Sequence, residues 1–216
     1  MRNLILGCLA LFMTVAVSAQ NYSYFDNDVR FYDEGEAVVT LTHFGVFPIT
    51  EKFGVADYAS IEGNNEYSYG QVLIGGYYQI TPELSVYLLA GKEGGQNLGL
   101  TNGKVKFGGM LYYTTGDKIR AYAFYTRNGD PFASNTKNSE WYDFMARYAL
   151  VSKTKNSVYV GARFMKMYGL GPTVSVRQAM SKTSNAYLGF TMYNDVSDDY
   201  SDGDWTPTLT LAIEFN

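Results

Sequence analysis

Hydrophobic and polar residues alternate strictly along the last stretch of the chain, before Asn216. One face carries Trp205, Pro207, Leu209, Leu211, Ile213 and Phe215, and the other carries Thr206, Thr208, Thr210, Ala212 and Glu214. A period of two residues predicts a β-strand. An apolar face with an aromatic residue at each end suits a wall between lipid and water.

The same alternation recurs along the chain and predicts about twelve strands, with ten as the alternative. Their expected ranges are 22–32, 36–47, 52–61, 66–79, 84–93, 104–115, 118–127, 141–151, 157–168, 173–180, 186–195 and 205–215. The predicted fold class is all-β, an antiparallel up-and-down barrel that crosses a membrane. An even number of strands places both chain ends on the periplasmic side.

The connections between these strands alternate in length. Short, turn-rich connections are predicted at 47–52, 80–83, 115–118, 152–156 and 181–185. Longer connections are predicted near 33–36, 62–65, 94–103, 128–140, 169–172 and 196–204. Short turns at one end and longer polar loops at the other are typical of outer-membrane barrels.

The first nineteen residues have the pattern of a secretory signal peptide. Arg2 precedes an apolar run from Leu4 to Val17, and Val17-Ser18-Ala19 offers a small-residue cleavage site before Gln20. We therefore expect a signal peptide over 1–19 and one barrel domain over 20–216. Cleavage removes Cys8, the only cysteine, so the mature chain has no disulfide or thiol chemistry.

The distribution of charge supports a membrane wall. The formal net charge of −4 has the wrong sign for a nucleic-acid partner. The predicted outward faces between Val72 and Met192 carry no charge within the wall, whereas the opposite faces carry arginines and carboxylates. A soluble sandwich would place its charges outside and bury the apolar face, so the pattern favours the barrel.

Two motifs resemble those of a known class of protein. The final strand resembles the C-terminal signal strand of bacterial outer-membrane β-barrels, which usually ends in Phe, although Asn216 follows Phe215 here. The stretches Ser152–Tyr159 and Ser181–Tyr187 resemble the short periplasmic turns of general porins. The resemblance implies a porin-like barrel in the bacterial outer membrane.

The same resemblance implies partners and a sorting signal. The expected partners are outer-membrane lipid, lipopolysaccharide and the barrel-assembly machinery. The residues expected to form the membrane-insertion signal are Trp205, Leu209, Leu211, Ile213 and Phe215.

A set of charged side chains is predicted to face the lumen. These candidate pore-lining residues are Lys106, Arg120, Arg147, Arg163, Arg177, Asp143 and Glu214. One interpretation is a basic ladder that attracts anions into a pore. The other is an interior salt-bridge network that closes the barrel. Twelve strands lie between the sizes of filled and open barrels, so strand number does not decide between them.

The leading functional prediction is a narrow channel for passive diffusion of small polar or anionic solutes. The alternative is a structural or adhesive barrel with a closed lumen and binding loops. An enzyme is not expected, because His43 is followed two residues on by Gly45, where outer-membrane phospholipases carry a serine. A barrel enzyme centred on His43 is therefore the third hypothesis. No cofactor and no metal site are predicted. The acidic stretch 195–204 is a weak match to a calcium loop and is expected to be solvated.

Overall fold

The alternating segments form strands in a computed structural model of the chain. The structure describes residues 22–31, 37–64, 68–95, 104–116, 118–128, 140–166, 168–194 and 205–215. Their strands are β1 (Tyr22–Phe31), β2 (Ala37–Pro48), β3 (Phe53–Gly63), β4 (Ser68–Gln79), β5 (Leu84–Gly95), β6 (Lys104–Thr115), β7 (Ile119–Asn128), β8 (Glu140–Ser152), β9 (Asn156–Met165), β10 (Gly169–Ala179), β11 (Ser184–Asn194) and β12 (Trp205–Phe215).

The strands close into one antiparallel barrel. Each strand pairs with its neighbours in sequence, and β12 pairs with β1 to complete the ring. Closure leaves no unpaired sheet edge, which is the condition for backbone to cross hydrocarbon as strands. The prediction of a twelve-stranded up-and-down barrel is confirmed. Among the described residues, no helix is long and apolar enough to cross a membrane.

One predicted loop is wrong. The stretch 169–172 was expected to be a loop, but Gly169 to Pro172 are the first residues of β10 and pair with β9. Gly169 has a φ of 77°, so a very short turn leads directly into the strand. A Cβ atom at Gly171 would lie 2.2 Å from the carbonyl oxygen of Met192. These glycines permit close approach of neighbouring backbones within a hairpin. The glycine-rich composition of this stretch did not distinguish a hairpin from a loop.

The two ends of the barrel differ. At one end, which we call the turn end, short connections lie at Ile49–Lys52, Ile80–Glu83, Gly116–Lys118, Lys153–Lys155 and Met180–Thr183. The first residue of β1 and the last residue of β12 also lie at the turn end. The opposite end is the loop end. The predicted signal peptide, the acidic stretch 195–204 and most of the predicted long loops lie outside the described residues.

The outer wall is apolar where a membrane would contact it. Exposed side chains on it include Leu88 at 71%, Leu150 at 62% and Ile74 at 58%. The outward residues predicted for β4 to β11 are confirmed, and the charged outward residues of these strands, Lys92, Arg127 and Glu140, lie near the loop end. In β12, Trp205, Leu211, Ile213 and Phe215 are exposed and Leu209 shares their face, whereas Thr206, Thr208, Ala212 and Glu214 are buried. A water-soluble protein would bury such a surface.

The inward faces are packed with aromatic side chains as well as charges. One buried cluster consists of Ala56, Leu73, Tyr87, Leu89 and Phe124. A second consists of Ala149, Tyr159, Tyr187 and Ala212. The rings of Tyr58 on β3 and Phe124 on β7 lie 4.8 Å apart, so side chains from distant strands meet inside the barrel. The lumen is narrow along this level.

Candidate functional site in the barrel interior

The charged residues predicted to face the lumen all lie on inward faces. Lys106, Arg177, Asp143 and Glu214 are buried, and the other arginines are partly buried. The described inward faces carry both signs of charge. The carboxylates are Asp26, Asp28, Glu62, Glu93, Asp143 and Glu214, and the cations are Arg30, Lys104, Lys106, Arg120, Arg147, Arg163 and Arg177. The interior therefore contains charges of both signs and is not uniformly basic.

Arg163 links three strands in the middle of the barrel. Its Nε and Nη2 atoms donate to the two carboxylate oxygens of Asp143 at 3.1 and 2.8 Å, a bidentate contact. Its Nη1 atom donates to Asp28 at 3.1 Å, which connects β9 with β1. Tyr122 donates to Asp143 and Thr210 donates to Asp28, so both carboxylates have further partners. This knot crosses part of the lumen.

A second crossing lies nearer the turn end. Arg120, the second residue of β7, donates from Nη1 to Glu214 on β12 and to Tyr187 on β11, each at 3.0 Å. Tyr187 donates to the same carboxylate, and the amide of Asn185 donates to it at 3.2 Å. In the ring of strands, β7 and β12 lie almost opposite each other. The Arg120–Glu214 pair therefore spans the lumen.

Arg147 differs from its neighbours. It lies directly opposite Arg120 in the β7–β8 register, and like charges in that position repel. Its guanidinium carbon lies 5.0 Å from the ring centre of Tyr159 and 5.2 Å from that of Tyr187. No carboxylate of the described residues forms an ion pair with it. The positive charge of Arg147 is thus not neutralised by a described carboxylate, and it contributes to the field inside the lumen.

The remaining predicted residues bind local partners. Arg177 donates to the Ser157 hydroxyl at 3.0 Å near the turn end. Lys106 lies near the loop end, where its ammonium group is 2.7 Å from Glu93 and 2.7 Å from the Tyr69 hydroxyl. Tyr69 also donates to Glu93. Lys106 is therefore a member of a compact buried triplet.

The sequence interpretation missed a fully buried arginine. Arg30 on β1 is 1% exposed and donates to Glu62 at 2.9 Å, to Thr40 at 2.8 Å and to Tyr168 at 3.0 Å. Tyr168 is contributed by the distant β9–β10 connection. Alternation of Asp26, Asp28 and Arg30 in β1 was the available signal, but a period of two does not by itself say which face points inward. Sequence alone did not assign their faces.

The charges are segregated along the barrel axis. Arg120, Arg147 and Arg177 share the turn-end half with Glu214 as the inward carboxylate. Most of the other inward carboxylates lie in the middle or near the loop end, beside Arg163, Arg30 and Lys106. The turn-end half is consequently cationic, whereas cations and carboxylates nearly balance in the loop-end half, where Lys104 also faces inward. Such a field favours anions in the turn-end half.

His43 is not part of this interior. It lies on the outward face of β2, because its register partners Phe25 and Ala59 share the face opposite to the inward residues Thr40 and Glu62. Among the described residues, no group of three His, Cys, Asp or Glu side chains lies close enough together to hold a metal ion.

Comparison with known proteins gives a structural likeness and no sequence match. No family model matches the chain, and no curated protein matches it in sequence. The NanC porin superposes with a TM-score of 0.57 at 8% identity, covering 89% of this chain and 99% of that chain. The KdgM porin superposes with a TM-score of 0.55 at 10% identity, covering 89% and 98%. At such low identity the likeness shows the fold alone, a closed antiparallel barrel that this chain shares with those two porins.

Proposed function

We propose that the protein is an outer-membrane channel through which small polar or anionic solutes diffuse passively. A closed barrel with an apolar outer wall and a charged interior supports this function. The KdgM porin, which has a similar fold, is described in complex with disordered oligogalacturonate. Passive diffusion through the barrel requires neither a cofactor nor a catalytic step.

The charge of Arg147 is the observation that most directly supports an anion-conducting channel. A positive charge at position 147, opposite Arg120, is unfavourable for folding because the two guanidinium groups repel. A carboxylate at the same position would form an ion pair with Arg120. A cation held against tyrosine rings beside the lumen can instead attract anionic solutes. The predicted pore-lining role of the other charged residues is part of the same proposal, although their charges are largely matched by partners.

The contacts across the lumen define a constriction. The Arg120–Glu214 and Arg163–Asp28 pairs, together with the Tyr58–Phe124 contact, narrow the passage. A solute that passes must be small or must displace these side chains. The proposed channel is therefore slender, with a lower conductance than a wide general pore of more strands.

The proposed location follows from the same wall. The exposed faces of β12, including Trp205, Leu209, Leu211, Ile213 and Phe215, are suited to contact lipid and to act as the insertion signal for the barrel-assembly machinery. We infer that the signal peptide is cleaved before Gln20 and that the turn end faces the periplasm. Lipopolysaccharide is then the expected contact near the loop end.

Single-channel recording tests the proposal. The protein, purified from membranes and shown to be folded, is inserted into a planar bilayer under a salt gradient. Discrete openings with a reversal potential that indicates anion preference are expected. Arg147→Ala should shift the reversal potential toward cation preference, and Arg147→Lys should preserve the wild-type value because it keeps the charge.

One outcome contradicts the channel, and a second contradicts the role given to Arg147. Absence of openings from folded protein would assign the barrel to the closed, structural or adhesive class, in which the interior ion pairs serve only as a plug. Openings whose selectivity is the same in Arg147→Ala and wild type would remove Arg147 from the solute path.

A further inference from the structure

The outward face of β1 to β3 departs from the apolar wall. Among the described strand residues in the turn-end half, His43 and Asp57 are the acidic or basic side chains that face outward. Ser23 shares this face on β1. Ionisable groups in contact with hydrocarbon are costly, so their presence within a membrane indicates a functional site. The side chain of His43 contacts both of the others.

The register explains how these residues meet. Gly45 of β2 lies directly opposite Ser23 on one side and opposite Asp57 on the other. Because Gly45 has no side chain, the imidazole of His43, two residues along the same face, leans across it toward both neighbours. His43 Nε2 lies 3.0 Å from Ser23 Oγ, and His43 Nδ1 lies 2.9 Å from Asp57 Oδ2. The serine that is missing at position 45 is thus supplied by the adjacent strand.

This arrangement has the connectivity of a serine nucleophile, a general base and an orienting carboxylate. His43 Nε2 is within hydrogen-bond distance of the Ser23 hydroxyl, whereas the contact of Nδ1 with Asp57 has an ion-pair distance but not hydrogen-bond geometry. The imidazole and the carboxylate must therefore align before Asp57 accepts the Nδ1 proton and leaves the Nε2 lone pair for Ser23. Asp57 then fixes the tautomer and stabilises the imidazolium that forms when His43 accepts a proton. His43 is 6% exposed and Ser23 is 3% exposed, so bulk water does not compete strongly for these contacts.

We propose that Ser23, His43 and Asp57 form a second, catalytic site on the lipid-facing wall that hydrolyses acyl esters of membrane lipids. The proposal is independent of the channel function, because the site faces away from the lumen. The position of the site on the lipid-facing wall determines the class of substrate that can reach it. An acyl chain in the bilayer lies against this wall, whereas a soluble ester does not.

The reaction proceeds in two steps that balance. Ser23 Oγ attacks the ester carbonyl carbon while His43 Nε2 takes the hydroxyl proton, and the C–O bond to the alcohol breaks as that proton passes to the departing alcohol. A water molecule then attacks the acyl-serine and gives one proton to His43. Release of the fatty acid returns that proton to Ser23 Oγ.

The depth of the site fits an ester. Ser23 is the second residue of β1 and pairs with Phe215, the last residue of β12, so it lies close to the boundary at the turn end. Asp57 lies four residues into β3, roughly 10 Å farther along a tilted strand. Lipid esters occupy the boundary between headgroups and hydrocarbon, which is the level of Ser23.

Access to Ser23 requires a side chain to move. The Phe25 ring stacks on His43 with centroids 4.4 Å apart and an interplanar angle of 31°. Phe25 also meets Phe215 edge to face. Both rings lie on the lipid-facing side, where rotamer changes are fast, and we expect rotation of Phe25 to admit the ester.

The first test is independent of any variant. The folded full chain in detergent micelles is treated with an alkyl fluorophosphonate, which reacts with activated serines, and the modified residue is identified by peptide mass spectrometry. Modification at Ser23 is expected. A folded wild-type barrel that is not modified at Ser23 overturns the proposal.

Variants then test the roles of the three residues. Vesicles of phosphatidylethanolamine and phosphatidylglycerol are the substrate, and release of fatty acid is measured. Ser23→Ala and His43→Asn should abolish release, and Asp57→Asn should lower it by at least a hundredfold. Ser175→Ala, a change at a buried serine on the inward face of β10, is the matched control and should keep the wild-type rate.

Each outcome distinguishes this site from the channel. Fatty-acid release that persists in Ser23→Ala, or labelling of Ser23 that does not depend on His43, contradicts the catalytic arrangement. Conductance should be the same in Ser23→Ala and wild type, since the residue lies outside the lumen. A channel without hydrolysis, or hydrolysis without a channel, therefore disproves one function and leaves the other.

Discussion

Removing the Arg163 side chain should destabilise the barrel more than removing any other interior cation with fewer partners. Arg163→Met leaves Asp28 and Asp143 without the guanidinium that neutralises both. Their side chains are 4% and 10% exposed, so water replaces the lost contacts poorly. Breaking a buried ion pair by deleting one partner costs about 3–5 kcal/mol. The hydrogen bonds from Tyr122 and Thr210 remain, so we expect a loss toward the lower end of that range.

The free energy of unfolding can be measured by urea titration of the barrel in lipid vesicles. Tryptophan fluorescence reports the transition, because Trp141 and Trp205 lie on different strands. Arg147→Met is the matched control: it removes the same side chain from the same interior without breaking an ion pair to a described carboxylate. We expect it to cost less than about 1 kcal/mol, the size of a cation–π contact, because relief of the repulsion between Arg147 and Arg120 offsets part of that loss.

The reasoning also predicts a partial rescue. Adding Asp143→Asn to Arg163→Met removes one of the two stranded carboxylates and should recover part of the lost stability. A loss below about 1 kcal/mol for Arg163→Met would show that lumen water neutralises the carboxylates, since a screened ion pair contributes no more than that. Equal losses for Arg163→Met and Arg147→Met would refute the role assigned to the ion pairs.

Three further predictions concern the wall. Leu88→Arg, at the most exposed of the positions quoted above, should destabilise the barrel in vesicles by about 2–4 kcal/mol, whereas Ile80→Arg in a turn should change it by less than about 1 kcal/mol. Gly75→Ala places a Cβ atom 1.9 Å from the Leu88 carbonyl oxygen and should cost about 1–3 kcal/mol, while Gly76→Ala meets its nearest atom at 3.7 Å and should fold normally; equal urea midpoints would contradict this. Phe215→Ala should lower the yield of heat-modifiable, assembled barrel in the outer membrane, and an unchanged yield would remove Phe215 from the insertion signal.

The sequence by itself determined the architecture. Alternation with a period of two fixes which residues of a strand share a face, and in β12 it separated Leu211 from Glu214 correctly. A closed barrel amplifies this signal, because lipid on one side and side chains on the other impose the same rule on every strand. Turn-rich segments marked the strand ends for the same reason: only particular residues permit a chain reversal in three or four positions.

Only the tertiary structure decided which residues meet. Arg120 and Glu214 are far apart in sequence, and the contact between them depends on ring closure and on the stagger of all intervening strands. A shift of one residue in β2 alone, relative to β1 and β3, would turn His43 toward the lumen and separate it from Ser23 and Asp57. Periodicity assigns a side chain to a face, but partners on that face are set by register. For that reason the sequence alone predicts a membrane-facing wall. The interior ion pairs and the outward cluster of serine, histidine and aspartate can be identified only from the closed barrel.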